Sequence, residues 1–437
     1  MIRGIIKLLV VLVMIIQTFP LKTYAQEHLG SIKEQQILES NSIQAVAVDE
    51  KSILQRLESK SPNIRLPYLG HQKEFEVKAF SIYGDEKNPF PEIKTYKIYD
   101  RIHGVTGRIT TGPIGINIIY LKDGKMVRVY NPEPAKKSER TYVQEIGISP
   151  TEKALHFCTQ HEGFDIDSPE DHKLDHAHAD LAHSKRNGSL KRRYRAAIIC
   201  TGEYYNANGG GATAVRNLMI ANLNDVSAIF EVELAVEMYM ATGSPRLEQD
   251  IANDPFDPSF GSRTQQAQNA VSSAFPLSRY DVGHVFHTHS SGDGWDTGGV
   301  AGLGVVCNDN RKASGWSGSF NNTSNGWIQL AAHEFGHMYN ATHTYNGSGD
   351  SACTPNITSS TSYEIGSGTT IMSYNGLCDS EQNIPGSGVA DNYFHINSLE
   401  RMVNYLETSA LCNEINWESD LNQEPTVNAN PCDALYI

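Results

Sequence analysis

The segment from residue 327 to residue 343 constrains the fold more than any other part of this 437-residue chain. Its apolar side chains recur with helical spacing at Trp327, Ala331, Phe335 and Met338. This spacing predicts a helix over residues 326–339 that is buried on at least that side. Because an α-helix turns by about 100° per residue, His333 and His337 lie one turn apart on one face. Two imidazoles can therefore reach a single ion.

A third histidine, His343, follows after five more residues. Three histidines leave a metal ion with an open coordination position for water, whereas a structural zinc site closes four protein ligands. Glu334, directly after the first histidine, is placed to take a proton from that water as the metal lowers the water's pKa. The competing interpretation is coincidence, with the histidines satisfied by hydrogen bonds in an ordinary core helix. The spacing favours a hydrolytic metal site.

Together with Ile371-Met372-Ser373-Tyr374 downstream, this segment resembles the signature and Met-turn of the metzincin zinc proteases. Within that clan the chain is similar to the reprolysin (adamalysin) family over about residues 195–412. Three segments carry this closer similarity: a strand ending in Val305-Val306-Cys307, a strand over residues 281–286, and a closing helix from Ile396 to about Glu407.

The resemblance implies a two-part catalytic domain with its cleft over the zinc helix. In that scheme His333, His337 and His343 bind one zinc ion, Glu334 is the general base, and Met372 packs beneath the metal. The activity implied is endopeptidase hydrolysis of protein or peptide substrates, extended along an edge strand over residues 299–306. Two rivals are a zinc hydrolase of a non-peptide bond and an inactive adhesion or binding protein of metzincin fold.

Two positions depart from the family pattern. Asn340 stands where the family usually has Gly, at the sharp turn after the helix, and Thr344 stands where Asp commonly follows the third histidine. Asn is the next most tolerant residue of positive φ, so we expect the turn to form. Calcium is left as an unassigned second ion, because no acidic cluster matches a calcium-binding loop.

The order of predicted elements indicates an α/β (α+β) fold in which a mixed sheet carries the zinc-binding helix. Strands are predicted at residues 195–201, 231–240, 281–288 and 299–307, with helices at residues 212–230 and 263–274. Earlier in the chain, residues 116–121 and 126–130 flank the turn sequence Lys122-Asp123-Gly124-Lys125 and predict a hairpin. The N-terminal half therefore looks like a β-rich propeptide domain.

Four segments follow from these patterns: a signal peptide over 1–25, a propeptide over 26–193, a catalytic domain over 194–412 and a tail over 413–437. Residues 170–194 are polar and charged, which predicts an exposed linker. Two basic clusters in it, Lys185-Arg186 and Lys191-Arg192-Arg193, offer cutting sites. The alternative is a solvated linker that is never cut.

The N-terminus and the charge distribution bear on location and partners. Basic residues, the apolar run 8–16 and small residues before Gln26 predict a cleaved secretory signal, and so no stable membrane anchor. We expect a secreted protein, extracellular or, in a double-membrane bacterium, periplasmic. Residues 194–437 hold 8 basic and 26 acidic side chains, a net charge of −18, which argues against nucleic-acid binding.

The seven cysteines divide at the linker into Cys158 before it and six after it. An even number in an exported domain predicts three disulfides, for which six cysteines allow 15 pairings. Similarity to reprolysins implies Cys307–Cys412 and Cys353–Cys378, which leaves Cys200 with Cys432. Cys158 is then a candidate cysteine switch, by which the propeptide inhibits its own enzyme at the open zinc position. Its alternative is a buried, apolar cysteine.

Two further histidine groups could also bind metal, but another interpretation is favoured for each. His287 and His289 face the same way on a strand and could hold a metal, but we prefer strand-end polar roles because the zinc site is already supplied. The linker group could bind metal loosely, but a flexible, solvated linker is favoured. Its members are His172, His176, His178 and His183 with Asp171, Asp175 and Asp180.

Overall fold

The computed structural model describes residues 32–34, 43–60, 62–68, 71–100, 104–122, 125–134, 140–146, 190–257, 262–290, 298–348, 353–378, 382–383, 391–412 and 414–417. Several predictions from the sequence lie outside these residues, namely the signal peptide, the linker up to residue 189 with Lys185-Arg186, Cys158 and Cys432. Within the described residues, no helix is long and apolar enough to cross a membrane.

The N-terminal half forms a nine-stranded antiparallel sheet in the order β1-β2-β9-β8-β7-β6-β5-β4-β3. Its strands and one helix are β1 Ile32–Glu34, β2 Ile43–Val48, α1 Glu50–Leu57, β3 Asn63–Tyr68, β4 His71–Phe80, β5 Lys94–Asp100, β6 Gly104–Gly112, β7 Gly115–Lys122, β8 Lys125–Tyr130 and β9 Tyr142–Ile146. The predicted hairpin is confirmed as β7 and β8, whose register pairs Ile118 with Val129. This half is β-rich, as the sequence indicates.

The second half is built on a mixed sheet in the order β11-β10-β13-β15-β14, with β12 and β16 also paired to β10. Its strands are β10 Leu190–Cys200, β11 Val236–Met240, β12 Arg246–Leu247, β13 Val282–Thr288, β14 Gly299–Ala301, β15 Gly315–Ser319 and β16 Glu414–Trp417. All pairings are parallel except β14 with β15 and β16 with β10. The predicted α/β class with a mixed sheet is confirmed.

Helices cover both faces of this sheet. They are α2 Gly202–Ala207, α3 Ala212–Leu234, α4 Arg263–Ala274, α5 Asn325–Met338 and α6 Ile396–Thr408. Alternation along the strands sends Ile198 and Phe286 into one buried cluster with α3 and α5, and sends Ile199 and Val285 into another with Val271 of α4. The predicted helix at residues 263–274 and the closing helix are confirmed.

The prediction of a strand over residues 231–240 is wrong in its first half. Helix α3 continues to Leu234, and Ala235 ends it with a left-handed φ of 54° before β11 begins. The polar–apolar alternation wrongly indicated a strand with one exposed face. Glu231 is itself buried, and basic side chains bind its carboxylate.

The predicted strand over residues 299–307 is also too long, because β14 ends at Ala301. Gly304 and Cys307 have φ values of 57° and 69°, which an extended strand does not allow. The chain instead makes turns there, and Cys307 forms a disulfide with Cys412.

The predicted exposed linker is wrong for its last five residues. Strand β10 begins at Leu190 and pairs with β11 on one side and β16 on the other. Lys191 and Arg192 are buried, at 5% and 6% exposure. The basic cluster of residues 191–193 is therefore part of the central sheet and is not an exposed cutting site.

Two of the three predicted disulfides are confirmed, Cys307–Cys412 and Cys353–Cys378. The third prediction, Cys200 with Cys432, is wrong for Cys200, which is a free and buried thiol. It lies at the end of β10 in the main hydrophobic cluster, and burial raises its pKa to about 12. Cys200 thus packs as a small apolar side chain.

Candidate metal centre

Helix α5 forms as the sequence predicts, within one residue at each end. The hydroxyl oxygen of Ser324 caps it by accepting a hydrogen bond from the Trp327 amide at 3.2 Å. The four side chains of the apolar stripe are fully buried. Packing of this stripe against the sheet fixes the direction in which the opposite face, with His333 and His337, points.

A left-handed residue ends the helix and reverses the chain. Asn340 has a φ of 80°, as expected from its place where the family has Gly. Its amide donates to the His337 carbonyl at 2.8 Å, and the next amide, of Ala341, donates to the Gly336 carbonyl at 2.9 Å. This turn brings His343 back to the helical pair.

The three imidazoles converge through the same ring nitrogen. Their Nε2 atoms lie 3.1 to 3.2 Å from one another. Each Nδ1 lies 2.7 Å from a backbone carbonyl oxygen, that of Ile371 for His333, Ala341 for His337 and Asn356 for His343. Since a carbonyl only accepts, each Nδ1 carries the proton and each Nε2 presents a lone pair.

This donor set fits zinc. Zinc–nitrogen bonds of about 2.0–2.1 Å at near-tetrahedral angles separate two bound nitrogens by roughly 3.3–3.4 Å. Three unprotonated nitrogens cannot hydrogen-bond to one another, so the observed convergence is repulsive until a cation joins them. Among the described residues, this is the one group of three or more ligating side chains with ligand atoms within 4.8 Å of one another.

Glu334 is fully buried and faces the strand β14. A Cβ atom on Gly299 would lie 2.3 Å from Glu334 Oε1, so this carboxyl group packs directly against the glycine. Gly336, on α5 itself, allows a similarly close approach, because a Cβ atom there would lie 2.5 Å from Met372 Sδ. The structure therefore places Met372 directly against the helix that carries His333 and His337.

The turn containing Met372 supports the histidines through its main chain. The carbonyl of Ile371 accepts from His333, and the carbonyl of Met372 accepts from the amide of Thr344 at 3.2 Å. The Thr344 hydroxyl donates to the carboxylate of Glu364. The same carboxylate accepts from the amides of Thr369 and Thr370 at 2.9 and 3.0 Å. Glu364 thus ties the loop of the third histidine to the Met-turn.

The histidines of β13 do not join this centre. His287 and His289 share one face, with ring centroids 4.9 Å apart, and His287 Nδ1 lies 2.9 Å from Thr201 Oγ1. His284 faces the other way and stacks on Phe335 at 4.5 Å, with Nε2 at 2.8 Å from Ser317 Oγ. Complete burial lowers the pKa of His284 to about 3. These contacts agree with the structural role expected of His287 and His289.

Residues 191–404 match the family model of the reprolysin-like metallo-peptidases, family M12B. This region of the chain belongs to that family. The reprolysin-like metallopeptidases use zinc, and the histidine triad described above is compatible with zinc binding. The predictions of a metzincin of reprolysin type and of a zinc metallopeptidase are thereby confirmed.

The other comparisons add little. Among solved structures, the reprolysin-like chain is similar to metalloproteinase-II from Bacteroides fragilis, with 10% identity, a TM-score of 0.42, and coverage of 82% of this chain and 95% of that one. No curated protein matches the sequence.

Sequence reasoning missed the residues that support the triad. Gly299 contacts Glu334, and Glu364 binds Thr344, in each case from a distant position in the sequence. The three carbonyl acceptors are backbone groups, so no residue type marks them in the sequence. The glycine-rich composition of residues 298–304 was the one available hint of a close approach.

Proposed function

We propose that this reprolysin-like protein is a secreted zinc endopeptidase made as a zymogen. The convergence of three Nε2 lone pairs beside a buried glutamate carries this proposal. His333, His337 and His343 would hold one zinc ion, and the open position left by three ligands suits a hydrolase. When bound, zinc supplies a Lewis acid that polarises the peptide carbonyl and makes water acidic enough to ionise.

The proton transfers fall to Glu334. It directly follows His333 in α5, and its carboxyl group lies against Gly299, between the helix and the edge of the sheet. As general base it takes a proton from the attacking water, and it then hands this proton to the leaving amine.

The substrate would lie extended along β14. This strand is the last in the sheet order and runs antiparallel to β15, so its outer edge can pair with a peptide main chain. The substrate strand predicted over residues 299–306 is accordingly shortened to Gly299–Ala301. Main-chain pairing holds the scissile bond over α5 with little demand on side-chain identity.

Secretion and latency rest on the sequence. The signal-like N-terminus and the two disulfides suit an oxidising compartment. Cys158 remains the proposed latch, by which the propeptide inhibits the enzyme. The proposed division into propeptide and catalytic domain moves from residue 194 to before Leu190, because β10 starts there.

Replacement of the base tests the proposed function. Glu334→Gln keeps the size of the side chain but cannot accept the proton, so we expect kcat/KM on casein or a peptide library to fall by about 10²–10⁴-fold. Zinc content should stay the same as in the unchanged chain. Glu400→Gln is the matched control, since Glu400 is exposed on α6, and it should leave activity and zinc content unchanged.

Retained activity in Glu334→Gln would contradict the assignment of the base. Normal zinc content with no cleavage of any peptide by the catalytic domain once it is freed of the propeptide would contradict the endopeptidase proposal itself.

A further inference from the structure

We propose that the N-terminal sheet domain, residues 32–146, stays bound to the catalytic domain after the chain between them is cut. The two domains share one interior, and two buried ionic clusters cross their boundary. The inference does not depend on peptidase activity, because it concerns association alone.

The apolar part of the boundary is continuous. One buried cluster contains side chains of both domains; its N-terminal members are Ile82, Tyr83, Ile93, Ile114 and Ile119, and helix α3 contributes Leu218, Met219 and Ile220 among others. Main-chain contacts join the same surfaces, since the Met240 amide donates to the Ile82 carbonyl at 2.7 Å. Separation would expose this interior to water, which opposes dissociation.

Helix α3 presents a polar stripe to the N-terminal sheet. Asn217, Asn224 and Glu231 recur at seven-residue spacing, with Asp225 beside them and the small Ala221 and Ala228 between. Asn217 Oδ1 accepts from the Ile114 amide at 3.1 Å, and Asn224 Nδ2 donates to Thr110 Oγ1 at 2.9 Å. The stripe is buried along its whole length. On a helix at a protein surface the polar side faces water, whereas here it faces the N-terminal sheet.

The first ionic cluster centres on Asp225. Its carboxylate accepts from Arg128 Nε at 3.0 Å and Nη2 at 2.9 Å, and from Asn117 Nδ2 at 2.8 and 2.9 Å. Arg128 also donates to the Thr323 carbonyl at 2.7 Å, just before the cap of α5. Asp225 and Arg128 are 0% and 1% exposed. Separation of the domains would leave the buried charges of Asp225 and Arg128 without their partners, and this cost opposes dissociation.

The second ionic cluster centres on Glu231. From the N-terminal sheet, Lys97 Nζ lies 2.6 Å and Arg108 Nη2 lies 2.5 Å from its carboxylate. From β10, Lys191 lies 2.5 Å from Glu231 and 2.9 Å from Glu237. Burial raises the pKa of Glu231, but the surrounding cations outweigh burial and hold that pKa well below its usual range. The carboxylates nearest Lys97 and Arg108 thus belong to the catalytic domain, and separation would remove them from both buried cations.

The test is to cut the full chain and ask whether its parts separate. A recognition sequence for a site-specific protease is inserted between residues 175 and 176, in the Glu334→Gln background so that self-digestion does not confuse the result. Digestion is taken to completion on a denaturing gel, and the product is then examined by size exclusion and native mass spectrometry. We expect one species that contains both fragments in equal amounts.

Matched variants locate the contacts. Arg128→Met should raise the dissociation constant of the two fragments by about a hundredfold or more, because Asp225 loses the cation bound to it. Lys97→Met should raise it by about tenfold or more, because Glu231 loses one buried cation but keeps Arg108 and Lys191. Lys94→Met is the control on the same strand β5: Lys94 pairs at 2.7 Å with Glu58 of its own domain and is exposed. It should change the constant by less than about threefold.

Separate elution of the two fragments from fully cut, otherwise unchanged protein would overturn the proposal, whatever the variants do. Equal weakening by Lys94→Met and Lys97→Met would overturn the role given to the buried clusters. If a buried variant does not fold, the cut wild-type interface still decides the question.

Discussion

Two groups of buried histidines lie on neighbouring elements of the catalytic domain, and they differ in where their Nε2 atoms point. In the triad, each Nδ1 is fixed by a backbone carbonyl, and the three Nε2 atoms meet within 3.2 Å. On β13, His284 and His287 face opposite sides of the sheet and bind Ser317 and Thr201.

Burial and residue type alone do not make a metal site. Strand geometry separates His284 from His287, because successive side chains alternate between faces. Helical geometry followed by a left-handed turn brings the triad together. What distinguishes the triad is that every ring has its proton fixed on the far side, which leaves three lone pairs for one cation.

The largest effect should come from removing one triad member. His337→Ala deletes one of three nitrogens, so zinc affinity should fall by more than about a hundredfold, and peptidase activity should fall with it. Zinc content after dialysis, measured by inductively coupled plasma mass spectrometry, checks this. Full zinc retention in His337→Ala would break the distinction between the two groups.

Removal of a β13 histidine should affect stability instead. His287→Gln disturbs the contact with Thr201, so the free energy of unfolding should fall by about 1–3 kcal/mol. Zinc content should not change. Denaturant titration and metal analysis of the same samples provide the check, and loss of zinc here would assign a metal role to β13 that the geometry does not support.

Replacement of His284 should have a smaller effect on stability, and one that depends on pH. The pKa of His284 in the folded protein is lowered to about 3 by burial, below the ordinary value of 6.5. Between these values the unfolded chain binds more protons, so stability falls as pH drops below about 6.5, by about 1.4 kcal/mol per pH unit from this group. In His284→Gln this part of the pH dependence should disappear.

Unfolding measured at pH 7 and pH 5 in both proteins gives the comparison. An unchanged difference between the two pH values in the variant would show that His284 is not the group responsible.

Local patterns predicted the centre well. The apolar stripe of α5, the spacing of its histidines and the tolerance of Asn340 for positive φ are properties of neighbouring residues, so the helix and its turn could be foreseen. The family resemblance supplied the two disulfides and the place of Met372.

The remaining features depend on partners far along the chain. Glu231 looked like a strand residue because its basic partners Lys97 and Arg108 lie in another domain. Lys191 looked like part of a linker because the carboxylates that neutralise it could not be seen. Likewise, nothing local reveals that the Glu334 carboxyl group packs against Gly299.

The most direct test of the metal assignment is anomalous diffraction at the zinc edge from crystals of the full chain grown with zinc. We expect a single strong peak about 2.0–2.1 Å from Nε2 of each of His333, His337 and His343. A main peak beside His287 and His289, or none near the triad in protein that contains zinc, would contradict it.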